Sequence, residues 1–267
     1  MKPKALVLHA AGTNRDGDAC TALRAAGAEP EIVHINALKA KEKNWKDYSI
    51  LVIPGGFSYA DALGAGKLFA LDLSHYFFDE VSEFVFSGKP VIGICNGFQV
   101  LVKSGILPGG LSGSDKPAKD GYKNRKATLT NNKQGGFECR FTTMIPQKSV
   151  CIWTRDLKGN ITCPIAHGEG RFLTDSQETL DILFEKKQAA LIYADETGKN
   201  PANGKYPFNP NGSVSDIAGI CNPKGNVLGL MPHPENNIII RERDSEEEKQ
   251  KTRLCLSLWK AGVDYVK

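Results

Sequence analysis

One decapeptide, Pro90-Val91-Ile92-Gly93-Ile94-Cys95-Asn96-Gly97-Phe98-Gln99, constrains this chain more than any other stretch. Val91, Ile92 and Ile94 form a short apolar run of strand type, Gly93 and Gly97 bracket a cysteine, and Phe98, Val100, Leu101 and Val102 carry helical spacing. A strand, a tight turn and a helix are therefore predicted, with Cys95 at the corner. The G-x-C-x-G spacing is the thiol version of the nucleophile elbow, in which small neighbours leave one side chain standing free at a strand's carboxyl end. There Cys95 faces the unpaired N–H groups and positive dipole end of the helix, which favour a thiolate. Gln99, four residues on, shares that helix face and points back toward the turn. A cysteine after an apolar strand is by itself more often a small core residue, so a catalytic reading needs a base from elsewhere.

The rest of the chain supplies a sheet for this corner. Residues 5–9, 31–35 and 50–53 read as strands, and a helix is expected from about Asp16 to Ala26, capped by Thr13 or Asn14 and ended by Gly27. Continuously apolar strands in the order β-α-β-β-α-β predict an α/β fold, a mostly parallel sheet with helices on both faces and its chemistry at the carboxyl strand ends. The third strand delivers Pro54-Gly55-Gly56-Phe57-Ser58-Tyr59-Ala60-Asp61. Paired glycines there let backbone N–H groups face a developing oxyanion, and they equally describe a plain Pro-Gly turn. One helical stretch is expected over 62–86, where Leu68, Leu71, Phe77, Phe78, Val81 and Val85 supply apolar spacing for a buried face.

After Ser104 the periodicity changes. Residues 105–126 read as a loop whose Lys116, Lys119, Lys123, Arg125 and Lys126 form a solvated surface, with docking of an anionic partner as the alternative. Short β-type runs at 127–129, 137–144, 150–154 and 161–165 suggest an antiparallel excursion within a single domain spanning 1–267. The last of them runs into Ala166-His167-Gly168-Glu169-Gly170, where glycines keep the backbone beside His167 and Glu169 accessible. A helix over 177–187, a strand over 189–193, a hairpin of 217–221 with 227–231 and a closing helix from about Ser245 to Ala261 complete the pattern. The polar segment 194–213 is too long for a mere connection.

Several classes of function are set aside by composition. A formal charge of +4 over 267 residues, with both signs interspersed, is no nucleic-acid footprint. No apolar run approaches a membrane span, and residues 5–9 read as a strand rather than a signal segment, so a cytoplasmic protein is expected. Seven cysteines, none in C-x-x-C spacing, argue against a disulfide or zinc framework, and no metal site is expected.

Five histidines are candidates for the base. His34 and His75 read as packed or surface residues, and His9 ends a strand without an evident chemical role. His233 follows a strand between Pro232 and Pro234, which disfavour a helix and push the segment extended. In an extended segment residues i and i+2 share a side, so Glu235 can reach the His233 ring, fix its tautomer and stabilise its charged form. Cys95 as nucleophile, His233 as base and then acid, and Glu235 as orienter all follow strands of one sheet.

With these residues assembled the chain resembles a family. Gly93-Ile94-Cys95-Asn96-Gly97-Phe98-Gln99 with Met231-Pro232-His233-Pro234-Glu235 is similar to the class I glutamine amidotransferases, whose flavodoxin-like fold carries a Cys-His-Glu triad. Pro54-Gly55-Gly56-Phe57-Ser58-Tyr59, Ala166-His167-Gly168-Glu169-Gly170, Asn211-Gly212-Ser213 and Asp216-Ile217-Ala218-Gly219 look like the glutaminase subunits of purine biosynthesis within it. The resemblance implies attack of Cys95 on the side-chain amide of L-glutamine, a glutamyl thioester, release of ammonia, and hydrolysis to glutamate. It implies an oxyanion hole from the backbone at Gly56 and Asn96, and glutamine contacts from Phe57, Gln99, His167, Gly168 and Glu169. It further implies a partner synthetase subunit that holds ATP and Mg²⁺ and converts formylglycinamide ribonucleotide to the amidine, and it leaves open a small third subunit. No cofactor is implied in this chain, which has no phosphate-binding glycine motif. Three positions depart from the family pattern: Ala60 where glycine is common, Arg15 where cysteine is, and Asn236 where arginine follows His-Pro-Glu. The alternatives are a cysteine hydrolase of the same fold, which usually places histidine where Asn96 stands, and a non-catalytic regulatory subunit.

Overall fold

The computed structural model describes residues 1–109 and 125–267. Its first half alternates strands and helices: β1 (Lys4–His9), α1 (Asp16–Ala26), β2 (Glu29–His34), α2 (Ile35–Lys39), β3 (Ile50–Ile53), α3 (Lys67–Tyr76), α4 (Phe78–Phe86), β4 (Val91–Ile94) and α5 (Asn96–Lys103). The second half is richer in strands: β5 (Ala127–Thr130), β6 (Glu138–Pro146), β7 (Ile161–His167), β8 (Arg171–Thr174), α6 (Gln177–Glu185), β9 (Ala189–Tyr193), β10 (Ile217–Cys221), β11 (Val227–Leu230) and α7 (Glu246–Asp264).

Nine strands share one sheet in the order β2-β1-β3-β4-β11-β10-β9-β6-β7, and β5 pairs with β8 separately. From β2 to β11 the ladder is parallel, and from β11 to β7 it is antiparallel. The antiparallel excursion thus continues the parallel sheet rather than standing beside it. β4 lies inside the sheet between β3 and β11, and all four of its residues are buried, which is why Val-Ile-Gly-Ile carries no polar alternation. α1 packs on α7, while α5 packs on α3, β4 and β11.

The register of two neighbouring strands positions the chemistry. β4 and β11 run parallel with Ile94 opposite Leu230, and the Cys95 N–H donates to Leu230 O at 2.8 Å. Cys95 and Met231 therefore leave the sheet side by side. Two glycines make the corner passable by lacking a side chain rather than by their φ values. A Cβ on Gly97 would lie 1.8 Å from Ile53 O, and one on Gly93 would lie 2.5 Å from the Leu101 Cδ1 atom. Helix α5 can thus start directly against the end of β3.

The structure revises four local expectations. The predicted helix over 62–86 is two helices broken at Phe77, and it begins only at Lys67, because Gly64 and Gly66 hold positive φ. Leu71, placed by spacing on the buried face, is 43% exposed, and Phe69, Ala70 and Leu73 form that face instead. Residues 150–154 are turns rather than a strand. Trp153 is fully buried there, edge-on to Trp259 and against Gly262 of α7, so the apolar run fills the core without joining a ladder. Helix α1 has Arg15 at its N-cap with no side-chain cap; Thr13 Oγ1 accepts from Ala10 N instead, and Asp16 and Asp18 supply the first-turn charge. Lys116, Lys119 and Lys123 of the basic loop lie outside the described residues, whereas Lys126 pairs with Asp175 at 2.9 Å.

Candidate active site

Cys95 sits at φ +50°, ψ −105°, a backbone conformation that L residues avoid. It is held there from both sides, its N–H by Leu230 O and its carbonyl by Gln99 N at 3.0 Å. The sulfur lies 3.6 Å from Ala166 O, at the end of β7. Around it, the N–H groups of Asn96 and Gly97 belong to the first turn of α5, where no intrahelical acceptor exists.

His233 reaches this corner from the end of β11, and its own N–H donates to Pro164 O at 2.8 Å. The extended segment expected after it is instead a short 3₁₀ turn, Pro234–Asn236, with Pro234 at the first position, where its missing N–H leaves nothing unsatisfied. The turn brings Glu235 Oε1 to 2.6 Å from His233 Nδ1, both side chains being buried. Gly55 makes room for the ring, since a Cβ there would lie 2.7 Å from His233 Cε1. Burial alone pushes the His233 pKa down, but the charges of Glu235 and Cys95 outweigh it and raise the value to about 10. The outer nitrogen, Nε2, makes no hydrogen bond of ordinary geometry, although the Cys95 sulfur is near enough to act on the ring.

The segment after β3 is laced to the loop after β1. Thr13 bridges Gly56, Phe57 N donates to Gly12 O at 2.9 Å and Arg15 N to Gly55 O at 3.2 Å. Gly56 holds φ +140°, and a Cβ would meet Asn14 N at 2.7 Å. Its N–H has no protein acceptor among the described residues. The Asn96 side chain ties the next turn down: its Oδ1 accepts from Ser58 Oγ at 2.6 Å, and its Nδ2 donates to Asp61 Oδ1 and Gln99 Oε1, each at 3.1 Å. That turn is strained, with Tyr59, Ala60, Asp61 and Leu63 all at positive φ. The common family glycine at position 60 now has a physical reason. Ala60→Gly is expected to raise stability by about 1 kcal/mol, read as a higher urea midpoint at unchanged slope; a lower midpoint would contradict the strain argument.

Gln99 and Glu169, expected to hold a ligand, are engaged with each other. Gln99 Nε2 donates to Glu169 O at 2.7 Å, and the Glu169 carboxylate accepts from Ala65 N at 3.3 Å and pairs with Lys103 at 3.5 Å. Lys103 is buried, and burial pulls its pKa down against the opposing charge of Glu169. These contacts clamp the 57–66 segment to the 167–170 segment over the first turns of α5. Gly168 accepts from Asn132 N at 2.9 Å, and Phe57 stays half exposed, stacked on Phe137 with ring centroids 6.4 Å apart.

Three further polar residues hold the site: Asn132, which drew no notice in the sequence, and Asn211 and Asp216, which entered only as parts of motifs of the resemblance with no role given. Asn132 is buried and donates to Gly136 O and His167 O, while its Oδ1 accepts from Gly170 N at 3.0 Å and faces His167 Nδ1 at 3.1 Å. Asn211, fully buried, donates to Gly170 O at 2.8 Å. Asp216 organises the long polar loop by accepting from Asn203 N, Gly204 N and Asn209 Nδ2 at 2.7–2.8 Å. The 194–213 segment is thus organised by its own polar contacts, and its end holds Gly170. Its Asn-Pro-Asn-Gly-Ser run was the available signal, whereas Asn132 sits in an unremarkable polar turn.

Comparison with known proteins adds an independent line. The family model described as the CobB/CobQ-like glutamine amidotransferase domain matches residues 2–266. Phosphoribosylformylglycinamidine synthase subunit PurQ of Treponema denticola is 81% identical over 269 residues, covering 100% of both chains. The PurQ subunit of Methanococcus maripaludis is 45% identical over 237 residues, covering 88% of this chain and 83% of the relative. Among solved structures, PurLQS from Thermotoga maritima superposes with a TM-score of 0.72 at 29% identity, covering 100% of both chains. A Thermotoga maritima glutamine amidotransferase matches in fold, with a TM-score of 0.55 at 14% identity over 100% of this chain and 98% of that one.

Proposed function

Because the chain belongs to the CobB/CobQ-like glutamine amidotransferase family, we infer that it is the glutaminase subunit of phosphoribosylformylglycinamidine synthase in purine biosynthesis. The observation that carries the chemistry is the buried His233–Glu235 pair beside a strained cysteine at a helix N-terminus. In this reading Cys95 Sγ bonds to the carboxamide carbon of L-glutamine, and the Gly56 and Asn96 N–H groups receive the oxyanion. His233 delivers a proton to the departing nitrogen, the C–N bond breaks, and ammonia leaves a glutamyl thioester. A water that gives its proton to His233 then cleaves the C–S bond and releases glutamate. Glu235 keeps the ring's Nδ1–H facing it and compensates the imidazolium. Glutamine is contacted by Phe57, Gln99 and residues 167–169.

Ammonia passes to a synthetase subunit, which holds the ATP and Mg²⁺ and makes formylglycinamidine ribonucleotide; this chain carries no cofactor. The PurLQS name of the Thermotoga maritima structure supports that partner and a small third subunit. The match over 2–266 supports one amidotransferase domain across 1–267. A cytoplasmic location belongs to this reading; separately, among the described residues no helix is long and apolar enough to cross a membrane.

The test is glutamate release from glutamine by the purified chain, alone and with the synthetase subunit, formylglycinamide ribonucleotide and ATP–Mg²⁺. Release that increases with the complete complex, together with formation of the amidine, is the expected result. A folded chain that releases no glutamate beside a partner active on free ammonia would overturn the assignment.

A further inference from the structure

Two histidines near Cys95 each carry a buried Nε2 without a hydrogen-bond partner, His233 and His167. Proton transfer to and from glutamine accounts for the first. The scheme so far places His167 beside glutamine but gives its Nε2 no partner, and a buried polar atom left unpaired is the exception in folded proteins. Its state is settled by its neighbour. Asn132 donates both amide hydrogens, to Gly136 O and His167 O, so its Oδ1 is the acceptor that faces His167 Nδ1 at 3.1 Å. The ring proton is therefore on Nδ1, and Nε2, on the edge turned away from Asn132, holds a lone pair.

The contact to Asn132 and close packing on Gly170 hold the ring. It lies flat on Gly170, where a Cβ would stand 2.3–2.7 Å from three of its atoms. Position does the rest. His167 directly follows Ala166, whose carbonyl is 3.6 Å from Cys95 Sγ, and it ends the strand whose Pro164 carbonyl holds His233 N. Burial, with the His233 charge adding to it, lowers the His167 pKa to about 4, so the acceptor persists at neutral pH.

We propose that His167 Nε2 accepts an N–H of the carboxamide nitrogen of bound glutamine and of the ammonia that this nitrogen becomes. The proposal rests on the glutaminase reading. When Cys95 attacks, the C–S bond forms, the C–N bond breaks, and one proton moves from His233 to the nitrogen. His167 gains and loses no proton. Its part is orientation: an N–H pointed at His167 turns the nitrogen lone pair toward the His233 proton. A neutral imidazole of such low basicity also takes the hydrogen bond without giving a proton back, so the product leaves as ammonia, which is nucleophilic, rather than ammonium, which is not.

Two variants in the complete complex separate this role from packing. In His167→Asn the new amide can keep the contact to Asn132 but does not reach the Nε2 position; in His167→Gln an amide oxygen can reach it. His167→Asn is expected to lower kcat for glutamate release about 100-fold, in the range of a misoriented reacting group, with the glutamine KM changed by less than about 3-fold and less amidine formed per glutamate released. His167→Gln is expected to recover most of kcat. A His167→Asn enzyme with wild-type kcat, one that raises only KM, or two variants equally impaired at wild-type melting temperature would each overturn the proposal. A wild-type complex that releases no glutamate would instead sink the glutaminase reading, and this proposal with it.

Discussion

Cys95→Ala is expected to reduce glutamate release by the assembled complex about 10⁴-fold or more, since loss of a nucleophile removes the covalent route entirely. Trapping of labelled glutamine on the protein should disappear in parallel. A Cys95→Ala enzyme that still turned over at a tenth of the wild-type rate would remove Cys95 from the role of nucleophile. The same position allows the chemistry to be separated from the fold. At φ +50°, ψ −105° the cysteine backbone stores strain, on the order of 1–3 kcal/mol for such conformers. Alanine inherits that strain, whereas glycine relieves it. Cys95→Gly should therefore be at least as stable as Cys95→Ala, reversing the usual order in which glycine is the weaker residue by up to about 1 kcal/mol. A melting temperature clearly below that of Cys95→Ala would show that the corner is not strained in solution.

The parallel half of the sheet was legible because buried strands leave a plain trace. Val91–Ile94 and Ile50–Ile53 are apolar without alternation, and both are buried along their whole length. What the sequence withheld were decisions taken by tertiary contacts. Residues 150–154 have the composition of a strand, yet Trp153 finds its partner in Trp259, more than a hundred residues away, and no ladder forms. The break at Phe77 is similar: the buried positions keep helical spacing across it, but Phe77 itself leaves the helical conformation at φ −132°, ψ 21° and packs its ring against Trp45. Antiparallel pairing of β6 with β9 and β7 brings distant segments together, which local pattern cannot specify.

In the site, the positions that were readable are those where covalent neighbours dictate the geometry. A Gly-x-Cys-x-Gly corner states its own shape, and the Pro-His-Pro-Glu segment states the His233–Glu235 pairing, although it makes that pair through a 3₁₀ turn and not the extended segment expected. Unreadable were residues whose role depends on who faces them. Gln99 and Glu169 were named as site residues, but the bond between them exists only once the fold joins them, and Asn132 becomes the residue that fixes a histidine tautomer only because β7 ends beside it. The departures at 15 and 236 behave likewise: Arg15 and Asn236 both bond Asp18 Oδ2, at 3.1 and 2.9 Å, a link between the β1 loop and the Glu235 turn that neither substitution foretells alone.

Glu235→Gln should lower kcat by about 10³–10⁴-fold with the fold retained, because the ring loses the charge that fixes its tautomer and supports its protonated form. The stability consequence has a definite sign. His233 titrates at an ordinary 6.5 in the unfolded chain and at about 10 when folded, raised by the charges of Glu235 and Cys95 against burial. A pKa raised by folding stabilises the native state in full below the unfolded value, and that contribution is lost as pH climbs through the folded one. Wild-type stability should therefore decline between about pH 6.5 and 10 through this group. With Glu235 neutral, burial is opposed by Cys95 alone, the folded pKa drops, and the decline should flatten. Urea midpoints across that range measure both slopes. Identical slopes for wild type and Glu235→Gln would mean that Glu235 does not set the charge of His233, and the orienter would have to be sought among the other groups facing the ring.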